Sequence, residues 1–223
     1  PKVNAAIGTY GNIRRVVKEA IDAGEFSFDL GLTQSPWGYP GVYAANLLYP
    51  GELNVWGGNL DIDAMDPVQL SNSEITTRDS ALKLADFLKE KVPGFENSRV
   101  EYMSTQVGVR YTRRVIGESR PSRKDLTTAN FKDAVAKPFK HRKLWIPYGS
   151  LIPKAVDNLL VVGRCISTQQ DGHAPTCQWP PCISTGEAAG TAAALAVAKA
   201  VQPRALDVSL LQKTIVEHGM ELE

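Results

Sequence analysis

The sequence predicts an α/β fold, and three patterns among its 223 residues carry that prediction. Leu159 to Val162 is an uninterrupted apolar run between Asp157-Asn158 and Gly163, the pattern of a strand buried on both faces. From Ser184 the chain becomes Ala-rich and apolar nearly all round, as in a buried helix. Upstream, helical periodicity over 13–21 and 66–91 is interspersed with strand-like stretches near 26–32, 42–57 and 100–116.

Taken in order, Ile13, Val16, Val17, Ala20 and Ile21 recur at helical spacing, and Gly24 stands where such a helix stops. Arg14, Arg15 and Lys18 occupy the opposite, solvated face. Phe26, Phe28, Leu30 and Leu32 alternate like a half-buried strand, and SPWGYPG (35–41) is turn-rich. Two short strands are expected around Pro50-Gly51. Trp37, Tyr39, Tyr43, Tyr49 and Trp56 concentrate here, and such aromatics either line an apolar pocket or, more commonly, pack a small sheet.

Asp66-Pro67-Val68-Gln69 is a helix start, with Asp as N-cap, Pro in the first turn and Gln three residues on. The helix should run to about Lys91, ending before Pro93-Gly94, with Ile75, Leu82, Ala85 and Leu88 on its buried stripe. Glu74 and Arg78 form a favourable i, i+4 pair on it. Val100 to Ile116 reads as β-prone, and on a strand Arg110, Thr112 and Arg114 share one face while Tyr111 and Arg113 take the other. Guanidinium groups at such spacing suit a carboxylate or phosphate, or simply a solvated face. KPFKHRK (137–143) is a second basic run, expected as an exposed loop. Beyond Pro203, Asp207 should cap a last helix carrying Val208, Leu211 and Ile215, stopped by Gly219.

The totals narrow the function. A formal charge of +1, from 25 basic and 24 acidic side chains, gives no reason to expect nucleic acid or an anionic membrane surface. Three cysteines argue against a disulfide framework and for a reducing compartment. The first residues lack a signal-peptide pattern and no apolar stretch is long enough to span a membrane, so the expectation is a cytoplasmic protein without a membrane span.

The stretch NLLVVGRCISTQQDGHAPTCQWPPCISTGEAAGTAAALAVAKAV (158–201) concentrates the chemistry. Ser184 and Glu187 make a capping box, which would start the helix with Thr185 and Gly186 in its first turn and aim free N–H groups at an electron-rich ligand. Gly186 would keep that turn thin, and Gly190 would let another backbone pack against the helix. The intervening loop holds His173 and the cysteines, whose C-x11-C-x4-C spacing lacks the CxxC pair frequent in zinc sites, so no metal is assigned. Cys182, just before the expected helix, or Cys177 would be the reactive thiol, while Cys165 is expected to be buried and inert. His173, Tyr148 and Arg113 are candidates for proton transfer or substrate orientation, because a tuned imidazole suits that task. Neither a GxGxxG nor a Walker lysine loop occurs.

These runs resemble the C-terminal half of the FAD-dependent oxidoreductases related to the succinate dehydrogenase and fumarate reductase flavoproteins. The branch it is most similar to has the pattern GxRxxRRxxG, IPYRSLIPKxxDNLLVAGRCIS and PTCxxxGQAAGTAAALA. Here these appear as GVRYTRRVIG (108–117), IPYGSLIPKAVDNLLVVGRCIS (146–167) and PPCISTGEAAGTAAALA (180–196), and the likeness covers about residues 50–219. The resemblance implies an α+β substrate-covering region over 1–150 and the C-terminal part of a Rossmann-like FAD-binding domain over 151–223. It places Gly163, Arg164, Ser184, Thr185, Gly186, Glu187 and Ala188 near the cofactor, with the helix N-terminus toward the flavin pyrimidine edge.

Three positions depart from the family pattern. Gly149 stands where PYRSL has Arg, Gln170 where a histidine follows GRCIS, and Cys177 where an arginine precedes PTC. The family's substrate and acid/base assignments are not carried across these positions; Arg110, Gln170 and Cys177 are the candidate substrate-binding residues. The family's N-terminal Rossmann segment has no counterpart in this sequence, so the expectation is one subunit of a split FAD-dependent oxidoreductase. Its partner would be a second polypeptide carrying the Rossmann half, and hydride would pass between flavin and a small organic molecule. The alternatives are a non-catalytic accessory subunit and a metal or electron-transfer subunit built on the 165–182 cysteine loop. A chain that buries its outer face against a partner should expose much apolar surface, and aggregate, when alone.

Overall fold

The computed structural model describes residues 11–26, 42–49, 51–57, 60–110, 112–128 and 131–222. It mixes helices with short antiparallel strands, an α/β-class protein as expected. Packing divides the chain into two compact units, 1–109 and 110–223, so the functional boundary expected at 150 falls inside the second unit.

In the first unit, α1 (Gly11–Asp22) buries Ile13, Val17 and Ala20 and half-buries Val16 and Ile21, the stripe its periodicity requires. Its exposed side carries the Arg15–Glu19 and Lys18–Asp22 pairs, and Gly24 follows at φ +72°. Strands β1 (Val42–Asn46) and β2 (Leu53–Gly57) form an antiparallel hairpin, pairing Val42 with Gly57 and Asn46 with Leu53. The strand expected over 26–32 lies, after Phe26, outside the described residues, as do Trp37 and Tyr39. Phe26 packs on Phe87 with ring centroids 4.5 Å apart. Tyr49 and Trp56 are exposed, so they do not pack a sheet core.

Helix α2 (Pro67–Lys91) starts as its sequence demands: the Asp66 carboxylate accepts from the Val68 and Gln69 amides. Those bonds, with one from the Gln69 side chain, hold the Asp66 carboxyl below its ordinary range, the Gln69 side chain being the largest cause. The buried stripe is rotated from the expected one, running through Ser73, Ser80, Leu84, Phe87 and Leu88 while Ile75 and Leu82 face solvent. Ser73 lies on the buried side without an orphaned hydroxyl, because its Oγ donates to the Leu70 carbonyl at 2.6 Å. Counting apolar residues alone assigns such positions to the wrong face.

The strand expected over 100–116 does not form among the described residues. Side chains of α2 take the place of a neighbouring strand. The Glu74 carboxylate accepts from the Val107 amide, and Arg78 donates to the Ser104 and Thr105 carbonyls at 3.1 Å each.

The second unit is built on a core containing Leu126, Val135, Ile146, Leu151, Ile166, Ala188, Ala192, Leu211 and Ile215. Helix α3 (Arg123–Thr128) is opened by a reciprocal Ser122–Asp125 cap. β3 (Ala134–Ala136) pairs antiparallel with β4 (Ile146–Pro147), and a bridge joins Gly117 to Pro153. α4 (Gln170–Thr176) and α5 (Trp179–Lys199) follow, and α6 (Val208–Glu217) closes the unit with its Asp207 cap as expected.

Two expectations fail here for identifiable reasons. Leu159–Val162 is not a strand: Leu159 is 44% and Val162 39% exposed, and only the Val161 amide is bonded to backbone, at the Leu151 carbonyl. A strand buried on both faces needs paired neighbours, and the described residues of this unit supply only the β3–β4 ladder. The Ala-rich helix begins at Trp179 rather than Ser184, because Pro180 and Pro181 fit a first turn that needs no N–H from them. It is buried on one face only: Pro181, Thr185, Ala188, Ala192 and Ala196 face the core, while Ile183 and Val197 are 68% and 82% exposed.

Candidate functional site

Four pieces of the second unit meet around Cys177: the 110–120 segment, the 3-10 turn Gly163–Cys165, α4 and the start of α5. Gly163, at φ +70°, takes a left-handed conformation that favours glycine, and its amide donates to Thr185 Oγ1 at 3.2 Å. Thr185 is itself fixed, donating to the Pro181 carbonyl at 2.8 Å from a fully buried position. Arg164 Nε donates to the Cys177 carbonyl at 3.2 Å, so the turn is tied to α4 as well as to α5. Arg110 Nη1 lies 4.0 Å from Cys177 Sγ.

The entry into α4 is the tightest part of the site. Arg114 Nη1 donates to the carbonyls of Thr168 (3.1 Å) and Gln169 (2.7 Å) and to Thr168 Oγ1 at 3.3 Å. Arg120 Nε adds a bond to the Thr168 carbonyl, and the Gln169 amide donates to Pro121. A Cβ at Gly172 would sit 2.8 Å from the Pro121 carbonyl oxygen, so only glycine fits this contact. One residue on, His173 is 2% exposed. Burial, then the charge of Arg114, with smaller contributions from Arg164 and Arg110, push its pKa down to about 4, while a hydrogen bond to the Arg110 backbone opposes them. The imidazole is therefore neutral near pH 7.

Of the candidates expected near substrate or cofactor, Gly163, Arg164, Thr185, Arg110, Cys177 and His173 come together. Gln170 is exposed in the first turn of α4, Arg113 is exposed, and Glu187 is exposed on α5. Ala188 is wholly buried in the core. Ser184 is no cap; it lies within α5 and its Oγ donates to the Pro180 carbonyl at 2.9 Å. Tyr148 belongs to the core, with its hydroxyl donating to the Pro203 carbonyl at 2.9 Å and burial raising its pKa to about 12. That bond gives the phenol a structural post.

The thiols also differ from expectation. Cys165 is exposed rather than buried, and Cys177 is buried. Cys182 sits in the first turn of α5, where burial raises its pKa above the ordinary thiol range despite Arg164, so no thiolate is stabilised there. Among the described residues no group of three or more His, Cys, Asp or Glu side chains is placed to hold a metal. Nor does any described helix have the length and apolarity to cross a membrane. Arg114 and Gly172 were not singled out for the site by sequence reasoning. The one signal was the shared face of Arg110 and Arg114.

The outer surface of α5 is open along its glycines. A Cβ at Gly186 or Gly190 would meet nothing within 4 Å, so this face is open rather than packed by another backbone. The exposed Arg164 brings positive charge to the first turn of α5, near Cys182. In the first turn itself, Pro180 and Pro181 carry no N–H, which leaves few donors for an anion.

A family model for FAD dependent oxidoreductases matches residues 32–138 and 137–215. Neither a curated protein nor a solved structure shows significant similarity to the chain.

Proposed function

Since the chain belongs to the FAD-dependent oxidoreductase family, we propose that it is one subunit of a split enzyme, of the succinate dehydrogenase and fumarate reductase flavoprotein-like type. A second polypeptide carries the Rossmann half, and the flavin lies against the open face of α5. The observation that supports this reading is the open stripe of α5, where Trp179, Ile183 and Val197 are exposed at helical spacing and a Cβ at Gly186 or Gly190 would meet nothing within 4 Å. Apolar side chains this exposed along one face of a helix mark a surface made for covering.

Gly163, Arg164 and the Gly186 turn would hold the cofactor, with the Arg164 guanidinium beside its electron-rich edge. Bound FAD supplies two-electron chemistry, taking a hydride from a small organic substrate in dehydrogenation or giving one in ene reduction. Arg110, beside Cys177, would orient the substrate, and its fixed charge suits an anionic group. His173 contributes as a neutral ring that positions its neighbours; with a pKa near 4 it is not a charged proton donor at pH 7. A cytoplasmic location belongs to the same proposal, since three cysteines in a chain of this length do not make a disulfide framework.

The test is co-expression with candidate Rossmann-bearing polypeptides, followed by the absorption spectrum of the purified complex. Flavin bands at stoichiometric intensity are expected; a pure complex without flavin sinks the reading. The burial of His173 and the locked phenol of Tyr148 favour a second reading, a non-catalytic accessory subunit. A flavin-loaded complex whose turnover is unaffected by Arg110→Ala would favour it.

A further inference from the structure

We infer that Arg114 is a positioning residue for the substrate wall: by gripping the Thr168–Gln169 turn it sets where α4, and with it His173, stands. The relevance to catalysis rests on the function proposed above, but the positioning itself does not. One guanidinium nitrogen reaches three acceptors on two consecutive residues, and these are the two residues that precede α4. Neighbouring contacts leave that helix little alternative, because Gly172 already abuts the Pro121 carbonyl and Gln169 donates to it. His173 lies four residues beyond Gln169, about one helical turn.

The same arginine also acts on His173 through its charge. The charges that act on the imidazole are Arg110 and Arg114 from the 110–120 segment and Arg164 from the 3-10 turn, while Arg120 of the same segment bonds the Thr168 carbonyl. On its own helix are Asp171, which accepts from the Arg123 amide, and the capping Cys177. Burial is the largest cause of the lowered pKa of His173 and Arg114 is the second.

Two variants separate grip from charge. In the full chain, Arg114→Gln should raise the NMR titration midpoint of His173 by about one unit, as expected for loss of a nearby like charge. Arg114→Lys keeps the charge but its ammonium ends one bond short of the Nη1 position that makes all three contacts, so the midpoint should stay low while amide exchange over Gln169–Gly172 speeds up at least tenfold. An unmoved midpoint in the Gln variant, or parental exchange rates in the Lys variant, would overturn the inference. If the Gln variant does not fold, the exchange rates of the Lys variant decide alone. Neither readout requires flavin, so the outcome is independent of whether the complex binds FAD.

Discussion

Burial and neighbouring cations keep His173 neutral, and that neutrality has a thermodynamic signature. Its folded pKa of about 4 lies below the 6.5 of an unperturbed imidazole. Between those values the unfolded chain binds a proton that the folded chain refuses, so acid favours unfolding. Above pH 6.5 both states carry a neutral ring and the residue has no effect. Stability is lost as pH falls from 6.5 through 4, with the full loss reached below that. Urea midpoints measured at pH 7 and pH 4.5 should therefore differ, and His173→Gln should reduce the difference. Parallel pH dependences for the parent and the variant would show that the ring is not held neutral. His173 was legible in the sequence as the one histidine of the cysteine loop, but its role was not. A tuned imidazole and a buried one share the same letter, and only the packing that buries the ring, with the guanidiniums brought in from the 110–120 segment and the 3-10 turn, distinguishes them. Tyr148 makes the same point, since nothing local indicates that its hydroxyl will meet the Pro203 carbonyl, 55 residues away.

Helix α5 was legible as a helix and misread at both of its functional features. Pro180 and Pro181 fall before the expected start, yet proline is well suited to a first turn, and the Ser184–Glu187 pair mimics a cap inside a helix that has already begun. By contrast α1, α2 and α6 start where their sequences place them or bury the expected residues, because their caps and apolar stripes are local signals. At its far end α5 stops on Ala200, which adopts φ 51° and ψ 42°, the left-handed conformation usual for a C-terminal glycine. The exposed Ala200 methyl makes that conformation costly without contributing packing. Ala200→Gly removes the strain but gives the unfolded chain more freedom, so a net gain of about 0.5 kcal/mol is expected. Urea denaturation at pH 7 measures it, and a lowered midpoint would mean that Ala200 is not strained.

At the scale of the whole molecule, the unanswered surface is the outer side of the second unit. Trp179, Ile183, Gly186, Gly190 and Val197 recur at intervals of four, three, four and seven residues, one face of α5 at helical period. The core-facing residues Pro181, Thr185, Ala188, Ala192 and Ala196 form the opposite stripe. The all-round apolar character that suggested a fully buried helix is thus two stripes, one satisfied within the described residues and one not. Leu159–Val162 repeats the pattern: its composition is that of a central strand, and its exposure is that of a strand without neighbours. Sequence pattern reports the environment a segment is built for, whereas the structure reports what these residues supply, and the difference between them is the face the proposed partner would cover. Fully burying a Val or Ile side chain contributes about 1.5–3 kcal/mol, so placing two lysines on the stripe should forfeit several kcal/mol of association while leaving the core stripe intact. The double variant Ile183→Lys/Val197→Lys should therefore keep its helical circular dichroism and its thermal midpoint, and aggregate less than the parent when expressed alone. In size-exclusion chromatography with the Rossmann-bearing polypeptide proposed above as its partner, it should no longer co-elute with that polypeptide or with flavin absorbance. Undiminished co-elution would show that the partner covers another face, and a collapse of helicity would show that this stripe belongs to the chain's own core.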